Sequence, residues 1–257
     1  MDSAARSKKG LGYLATHRSS GAVMRVTDIG GSSPLVEVIY NEILRDAFIS
    51  DELVSCDELR GGLLAGLGVL TAVMDDRGRP LAAAVGEWDP GSRVLLLAYI
   101  AVRRERRSEG LGGLLMGEIG GAWQQRYHPE MTLAEIEHPS AHRTDADRGD
   151  VLARLRFYER HGARALDLPY FQPSLRPGAE RVHGMLLIAL APLPGNGTDG
   201  SVDSGPVRAF LTEYFLGCEG AVGTDPASQR LWQAVDRAGG IPLLPLSDPL
   251  ALPLSRA

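Results

Sequence analysis

The chain has little of what would mark it for a membrane, a nucleic acid, a metal or an oxidising compartment. Two cysteines occur in 257 residues, Cys56 and Cys218, so one disulfide at most could form and a disulfide framework is excluded. Neither has a histidine partner at motif spacing, and both read as packed or idle thiols. No run approaches the ~20 apolar residues needed to span a bilayer. The first residues contain no secretory apolar region, and the expected setting is the reducing cytoplasm. Lysine is confined to Lys8 and Lys9, so nearly all positive charge is arginine. A net charge of −5 provides neither a basic field for nucleic acid nor a polybasic patch for a membrane. His128, His138, His142, His161 and His183 fall at no metal-ligand spacing, and no metal is expected.

Periodicity organises what is present. Residues 1–23 mix Ser, Gly, Lys, Arg and Ala without a pattern and are expected to be a disordered leader. A strand opens at Met24. A helix over 34–48 carries Leu35, Val36, Ile39, Tyr40, Ile43, Leu44 and Phe48 at helical spacing. Glycine-rich sequence then leads to strands over 69–74, 81–88 and 94–102, the last apolar on both faces as in the middle of a sheet. A helix over 110–126, a strand over 131–137, a helix over 151–160 stopped by Gly162, and strands over 165–170 and 182–191 complete a unit spanning 24–194. Residues 195–206 read as a linker. Residues 207–257 read as a helical appendage with helices over 207–215 and 229–238. It is too small for a core of its own and is expected to pack on the main unit or on the second subunit of a homodimer.

The junction Arg107-Ser108-Glu109-Gly110-Leu111-Gly112-Gly113 follows the run Val94 to Val102 directly. A strand that turns straight into a helix leaves the first helical N–H groups without partners, and these with the helix dipole suit a phosphate or pyrophosphate. Glycines at 110, 112 and 113 would let a diphosphate approach the backbone; the plainer reading is a tight structural turn. The spacing Arg-x-x-Gly-x-Gly after Ile100-Ala101-Val102 resembles the acyl-coenzyme A loop of the GNAT superfamily of N-acetyltransferases. The element order β-α-β-β-β-α-β-α-β-β and the segment Phe157-Tyr158-Glu159-Arg160-His161-Gly162-Ala163 resemble the same family.

The resemblance implies an α+β fold: a mixed, mostly antiparallel sheet flanked by helices, with the helical C-terminal appendage added. It implies acetyl-CoA as co-substrate. The pyrophosphate would lie on the N–H groups of Ser108, Glu109, Gly110, Leu111, Gly112 and Gly113, the side chain of Arg107 beside it, and the pantetheine along Ile100, Ala101 and Val102. Tyr158 would be the general acid facing the sulfur. The chain departs from the family pattern at Ala163, where an aromatic is usual, at Glu109, where a basic or neutral residue is commoner, and in lacking the pantetheine-binding asparagine between residues 137 and 158. A longer loop there offers Ser140, His142, Arg143, Thr144, Asp145 and Asp147.

A base is sought in Leu133-Ala134-Glu135-Ile136-Glu137. Period two places Glu135 and Glu137 on one strand face, where two interior carboxylates are costly unless each meets a cation, a donor or water. In the branch of the family acting on protein N-termini, a glutamate at the position of Glu135 serves as base. Glu135 is thus the first choice, Glu137 the second and a source of charge complementarity for a cationic acceptor, and Glu87 the third. Mutual repulsion of Glu135 and Glu137 is expected to raise one pKa. The hairpin with Tyr170-Phe171-Gln172-Pro173 and Arg176-Pro177-Gly178 either walls the acceptor site or is simple packing. The implied activity is transfer of an acetyl group to the primary amine of a small metabolite. A transferase for protein N-termini or lysines, and a non-catalytic acyl-CoA-binding module, are the alternatives; the latter would need neither Tyr158 nor the glutamates.

Overall fold

A computed structural model describes residues 15–19, 22–49, 52–142, 150–176, 179–193 and 200–256. β1 (Ala15–Ser19) pairs antiparallel with β2 (Ala22–Asp28), so the last part of the expected leader is a strand; residues 1–14 lie outside the described residues. The expected helix over 34–48 is α1 (Leu35–Ile39), a π-helical turn Tyr40–Leu44 and α2 (Arg45–Ala47). α3 (Cys56–Ala65) stands where the sequence reads as a glycine-rich connection. Its start is a reciprocal cap. The Ser55 side chain accepts from the Glu58 N–H at 3.2 Å, and the Glu58 carboxylate accepts from the Ser55 N–H at 2.8 Å.

β3 (Gly68–Met74), β4 (Pro80–Asp89) and β5 (Val94–Val102) form an antiparallel meander. After a 3-10 turn at Arg104–Arg106 come α4 (Leu111–Glu118), a π-helical turn Ile119–Trp123 and α5 (Gln124–Tyr127). β6 (Met131–Glu137) and α6 (Val151–Arg160) have the bounds read from the sequence. β7 (Arg164–Leu166) and β8 (Met185–Ala189) are shorter than expected, because the described residues between them are irregular and joined by one bridge, Gln172 to Val182. Residues 194–199 lie outside the described residues, whereas the rest of the expected linker holds β9 (Ser201–Val202) and the start of α7 (Ser204–Glu219). α8 (Pro226–Val235) and β10 (Ile241–Pro245) complete the described elements, so the C-terminal segment is not purely helical.

The ten strands form one sheet in the order β1-β2-β3-β4-β5-β6-β8-β7-β10-β9. β10 pairs antiparallel with β7, which ties the C-terminal segment into the sheet. α4, the π-helical turn after it and α6 cover one face through Leu111, Leu115, Ile119, Trp123 and Leu155. The other face is shared. α1 and α3 cover its β3–β5 part, and α7 and α8 cover its β6–β8 part through Val207, Leu211, Phe215 and Leu231. The 207–257 stretch obtains the core it could not build alone by lying on a face that would otherwise be bare.

Two irregularities in β5 open a space beside it. Val85 pairs with Tyr99 and Gly86 with Leu97, so Ala98 is an extra, bulged residue. Before the bulge Leu95 and Leu97 face α4 and α6; after it Ile100 and Val102 do, while Tyr99 and Ala101 turn to α1. On the other side β5 and β6 pair in parallel only from Val94–Met131 to Leu97–Ala134. Beyond that point each keeps only its outer partner, β4 for β5 and β8 for β6, and a wedge opens between them.

Gly86, at the bulge, packs under Trp123, whose indole N–H donates to Thr71 Oγ1 at 2.9 Å. A Cβ at 86 would lie 2.7 Å from the Trp123 ring and 2.8 Å from Val69. Gly86→Ala should therefore lower the unfolding free energy by about 1–3 kcal/mol, as overpacked core sites do. Chemical denaturation would read this as an earlier midpoint, and an unchanged midpoint would show that the indole has room to move.

Candidate active site

A cavity of about 670 Å³ fills the wedge. Its walls are Leu96 to Val102 of β5, Glu135 to Glu137 of β6, Tyr158 of α6 and Tyr214 of α7. Glu87 of β4 reaches the same space and is paired in register with Leu96, close to the vertex. Arg104 and Arg107 line it beyond the end of β5. Six residues of strand, about 20 Å, separate the level of Leu96 from Val102, so the cavity runs from a carboxylate-rich vertex to an arginine-lined mouth.

Among the described residues Glu135 is held by neutral donors alone. Tyr170 donates to Oε1, Gln172 Nε2 to Oε2 at 3.0 Å, and Tyr214 to Oε2 at 3.2 Å. Two carboxylate oxygens offer about four acceptor positions, so three donors leave one for the cavity. Burial pushes the Glu135 pKa above the ordinary glutamate value; the three hydrogen bonds oppose this and the Glu52 carboxylate adds to it. The like charge bearing on Glu135 thus comes from Glu52, not from Glu137. Glu87 is also raised, by the protein mass around the cavity and then by Glu135.

Glu137 has a partner that the sequence reading did not foresee. It is buried and paired with Arg154 of α6 at 2.6 Å, so its charge is met inside the protein. Period-two alternation puts it on the Glu135 face correctly, but it does not show that α6 brings an arginine there. Tyr158 is 4% exposed, lines the cavity and donates to no described residue; burial pushes its pKa up to about 12, so the phenol keeps its proton at working pH. Tyr170 and Gln172 clamp Glu135 while Phe171 is core, stacked under Arg181 at 4.8 Å. Of the second hairpin turn, Pro177 and Gly178 lie outside the described residues, as do Arg143, Thr144, Asp145 and Asp147.

Sequence reasoning missed Tyr214 and Cys218 on α7 and the loop at Glu52. Tyr99 Oη accepts from the Val54 N–H and donates to the Glu52 carbonyl, both at 3.1 Å, which draws that loop over the acceptor end. Arg176 donates to the Leu53 carbonyl from the opposite hairpin. The Cys218 thiol is pushed up to about 11 by burial and stays protonated.

No family model matches this sequence, and no curated protein matches it. Solved structures do. A protein from Bacteroides thetaiotaomicron assigned to the GNAT family of acetyltransferases is 18% identical and aligns with a TM-score of 0.55 over 74% of this chain and 98% of its own. The ribosomal-protein-S18-alanine N-acetyltransferase of Escherichia coli is 14% identical, with a TM-score of 0.45 over 73% of this chain and 98% of its own. The chain has the GNAT fold.

In this GNAT fold the loop from Arg107 to Gly113 caps α4 at the mouth of the wedge. Ser108 and Gly110 have φ of 67° and 81°, the left-handed region that costs Ser108 strain. The N–H groups from Ser108 to Gly112 have no acceptor among the described residues, and a Cβ at 110 would meet open space. Gly112 also has a packing role beside the one expected. A Cβ at 112 would lie 3.1 Å from the Phe157 ring, so Gly112 lets α4 approach α6 closely, whereas one at 113 would lie 3.5 Å from His161, an ordinary contact. The Leu111 side chain is core, and the Glu109 carboxylate pairs with Arg106 at 2.7 Å. Ile100, Ala101, Val102, Arg107 and Gly112 line the cavity. Among the described residues no group of acidic, histidine or cysteine side chains could hold a metal, and no helix is long and apolar enough to cross a membrane.

The Glu87 shift has a measurable consequence. Its folded pKa lies above the ordinary 4.5, so the folded chain binds the proton more tightly, and its contribution to stability is lost as pH rises through the folded value. Glu87 is exposed to solvent in the cavity, so Glu87→Gln should stabilise the protein only slightly at pH 7, and the gain should vanish below pH 4.5. Denaturation midpoints of both proteins across pH check this; equal midpoints at pH 7 would show that the cavity solvates Glu87 as bulk water does.

Proposed function

We propose that the protein is an acyl-CoA-dependent N-acetyltransferase acting on the primary amine of a small, cationic metabolite. One observation carries the reading: a neutral-clamped carboxylate, Glu135, and a proton-bearing phenol, Tyr158, line the same cavity, which leads to the unpartnered N–H groups at the start of α4. The gradient from carboxylates at the vertex to Arg107 at the mouth suits an ammonium at one end and a pyrophosphate at the other.

The Ser108 to Gly113 turn and Arg107 would receive the pyrophosphate, with Ile100 to Val102 along the pantetheine. Acyl-CoA supplies the activated acyl group and the thiolate that leaves. Glu135 accepts the proton of the bound ammonium through its fourth acceptor position, and its raised pKa brings it nearer to neutral pH, where a base works best. Tyr158 holds a proton at Oη for the departing sulfur. The protonated Cys218 is a poor nucleophile, which supports direct transfer over a thioester on the enzyme. The loop at 52–54, the hairpin carrying Arg176 and helix α7 narrow the acceptor end, which supports a small acceptor over a polypeptide.

Thiol release from acetyl-CoA across a panel of primary amines tests the activity. Tyr158→Phe should lower turnover about 10²–10⁴-fold, the usual worth of a general acid or base, and leave coenzyme A affinity nearly intact. Glu135→Gln should lower turnover comparably and remove the acidic limb of the kcat/KM profile. Wild-type turnover in both, where chemistry limits the rate, would remove both residues from the mechanism.

Gly110→Val addresses the anion site. The branched side chain would project into the open space over the turn and resist a φ of 81°, so coenzyme A should bind at least about tenfold more weakly by calorimetry. Unchanged affinity in a folded variant would place the pyrophosphate elsewhere.

A further inference from the structure

We infer that the C-terminal segment completes the acceptor site: Tyr214 of α7 is a positioning residue that orients the Glu135 carboxylate and sets the pH at which it ionises. This rests on Glu135 being the base of the proposed reaction. Tyr214 Oη donates to Glu135 Oε2 at 3.2 Å, on the same oxygen that accepts from Gln172. The remaining oxygen takes Tyr170. Fixing both oxygens fixes the carboxylate plane, and the free acceptor position then points one way.

Tyr214 can do this because its own place is held. Its ring stacks on Phe210 with centroids 5.4 Å apart and meets Phe215 edge-on at 6.4 Å. One turn further on, Glu219 is gripped by Arg181 through Nε at 2.8 Å and Nη2 at 2.5 Å. The same guanidinium reaches Asp225 at 2.6 Å, before α8. Arg181 lies just ahead of β8, the partner of β6, so the staple locks α7 to the sheet that carries Glu135.

The groups facing Glu135 account for the sign of the effect. Tyr170 and Gln172 from the hairpin and Tyr214 from α7 donate to it and favour the anion. Glu52 from the loop disfavours it, and Glu87 from β4 faces the same cavity, its own pKa raised by burial and then by Glu135. Cys218 and Tyr99 stand nearby and stay protonated, their pKa values raised by burial. Removing one neutral donor from an anion raises the pKa of the anion's acid.

The test tracks the Glu135 carboxyl carbon by NMR in protein labelled at glutamate, assigned with Glu135→Gln, in the full chain without substrate. In Tyr214→Phe, which keeps the ring packing, the Glu135 midpoint should rise by about half to one pH unit, the worth of one neutral hydrogen bond, and the acidic limb of kcat/KM should move with it. Placing 3-fluorotyrosine at 214, a stronger donor of nearly the same size, should move the midpoint the other way. That arm decides the matter if the phenylalanine variant does not fold. An unmoved midpoint in either folded protein overturns the inference. A midpoint that moves while the acidic limb stays still shows instead that Glu135 is not the base.

Discussion

The parting of β5 and β6 is the constraint on which the rest of the molecule depends. Backbone N–H and C=O groups inside a sheet are normally paired, yet here two neighbouring strands pair for four residues and then separate. The bulge at Ala98 lies at the same level and reverses the facing of β5. The result is an open backbone edge within the fold, flanked by the start of α4, where further N–H groups have no partner among the described residues. A sheet continued in register would have filled this space with side chains and left neither a cavity nor a place for a carboxylate.

Glu135 and Glu137, two residues apart on one strand, show how surroundings divide identical groups. Glu137 meets a guanidinium, which balances its charge. Glu135 meets two phenols and an amide, which satisfy its oxygens without neutralising it, and burial raises its pKa. Neutral donors are compatible with a base because they leave the negative charge available to an incoming cation.

The C-terminal segment has two roles that share one cause. It needs a face to bury its apolar side chains, and the β6–β8 half of the sheet provides one. Lying there brings α7 across the vertex of the wedge, where Tyr214 and Cys218 enter the cavity. β10 on the edge of β7 and the Arg181 staple hold the arrangement. Packing and site construction are therefore inseparable in this part of the chain.

Local patterns in the sequence determined the bounds of β5, β6 and α6, the turn into α4 and the candidacy of Glu135 and Tyr158, because period, capping and glycine placement act within a few residues. The capping box at Ser55 and Glu58 is equally local, but Gly61 and Gly62 behind it disguise the helix as a connection. Tertiary structure alone decided the rest. A strand apolar on both faces carries no mark of a bulge, so the reversal at Ala98 has no signal in residue order. Whether a carboxylate meets Arg154 or Tyr214 depends on elements 17 and 79 residues away, and no local pattern encodes such contacts. Gly112 reads as room for a ligand and is also room for α6, since a missing side chain looks the same in sequence whichever neighbour occupies the space.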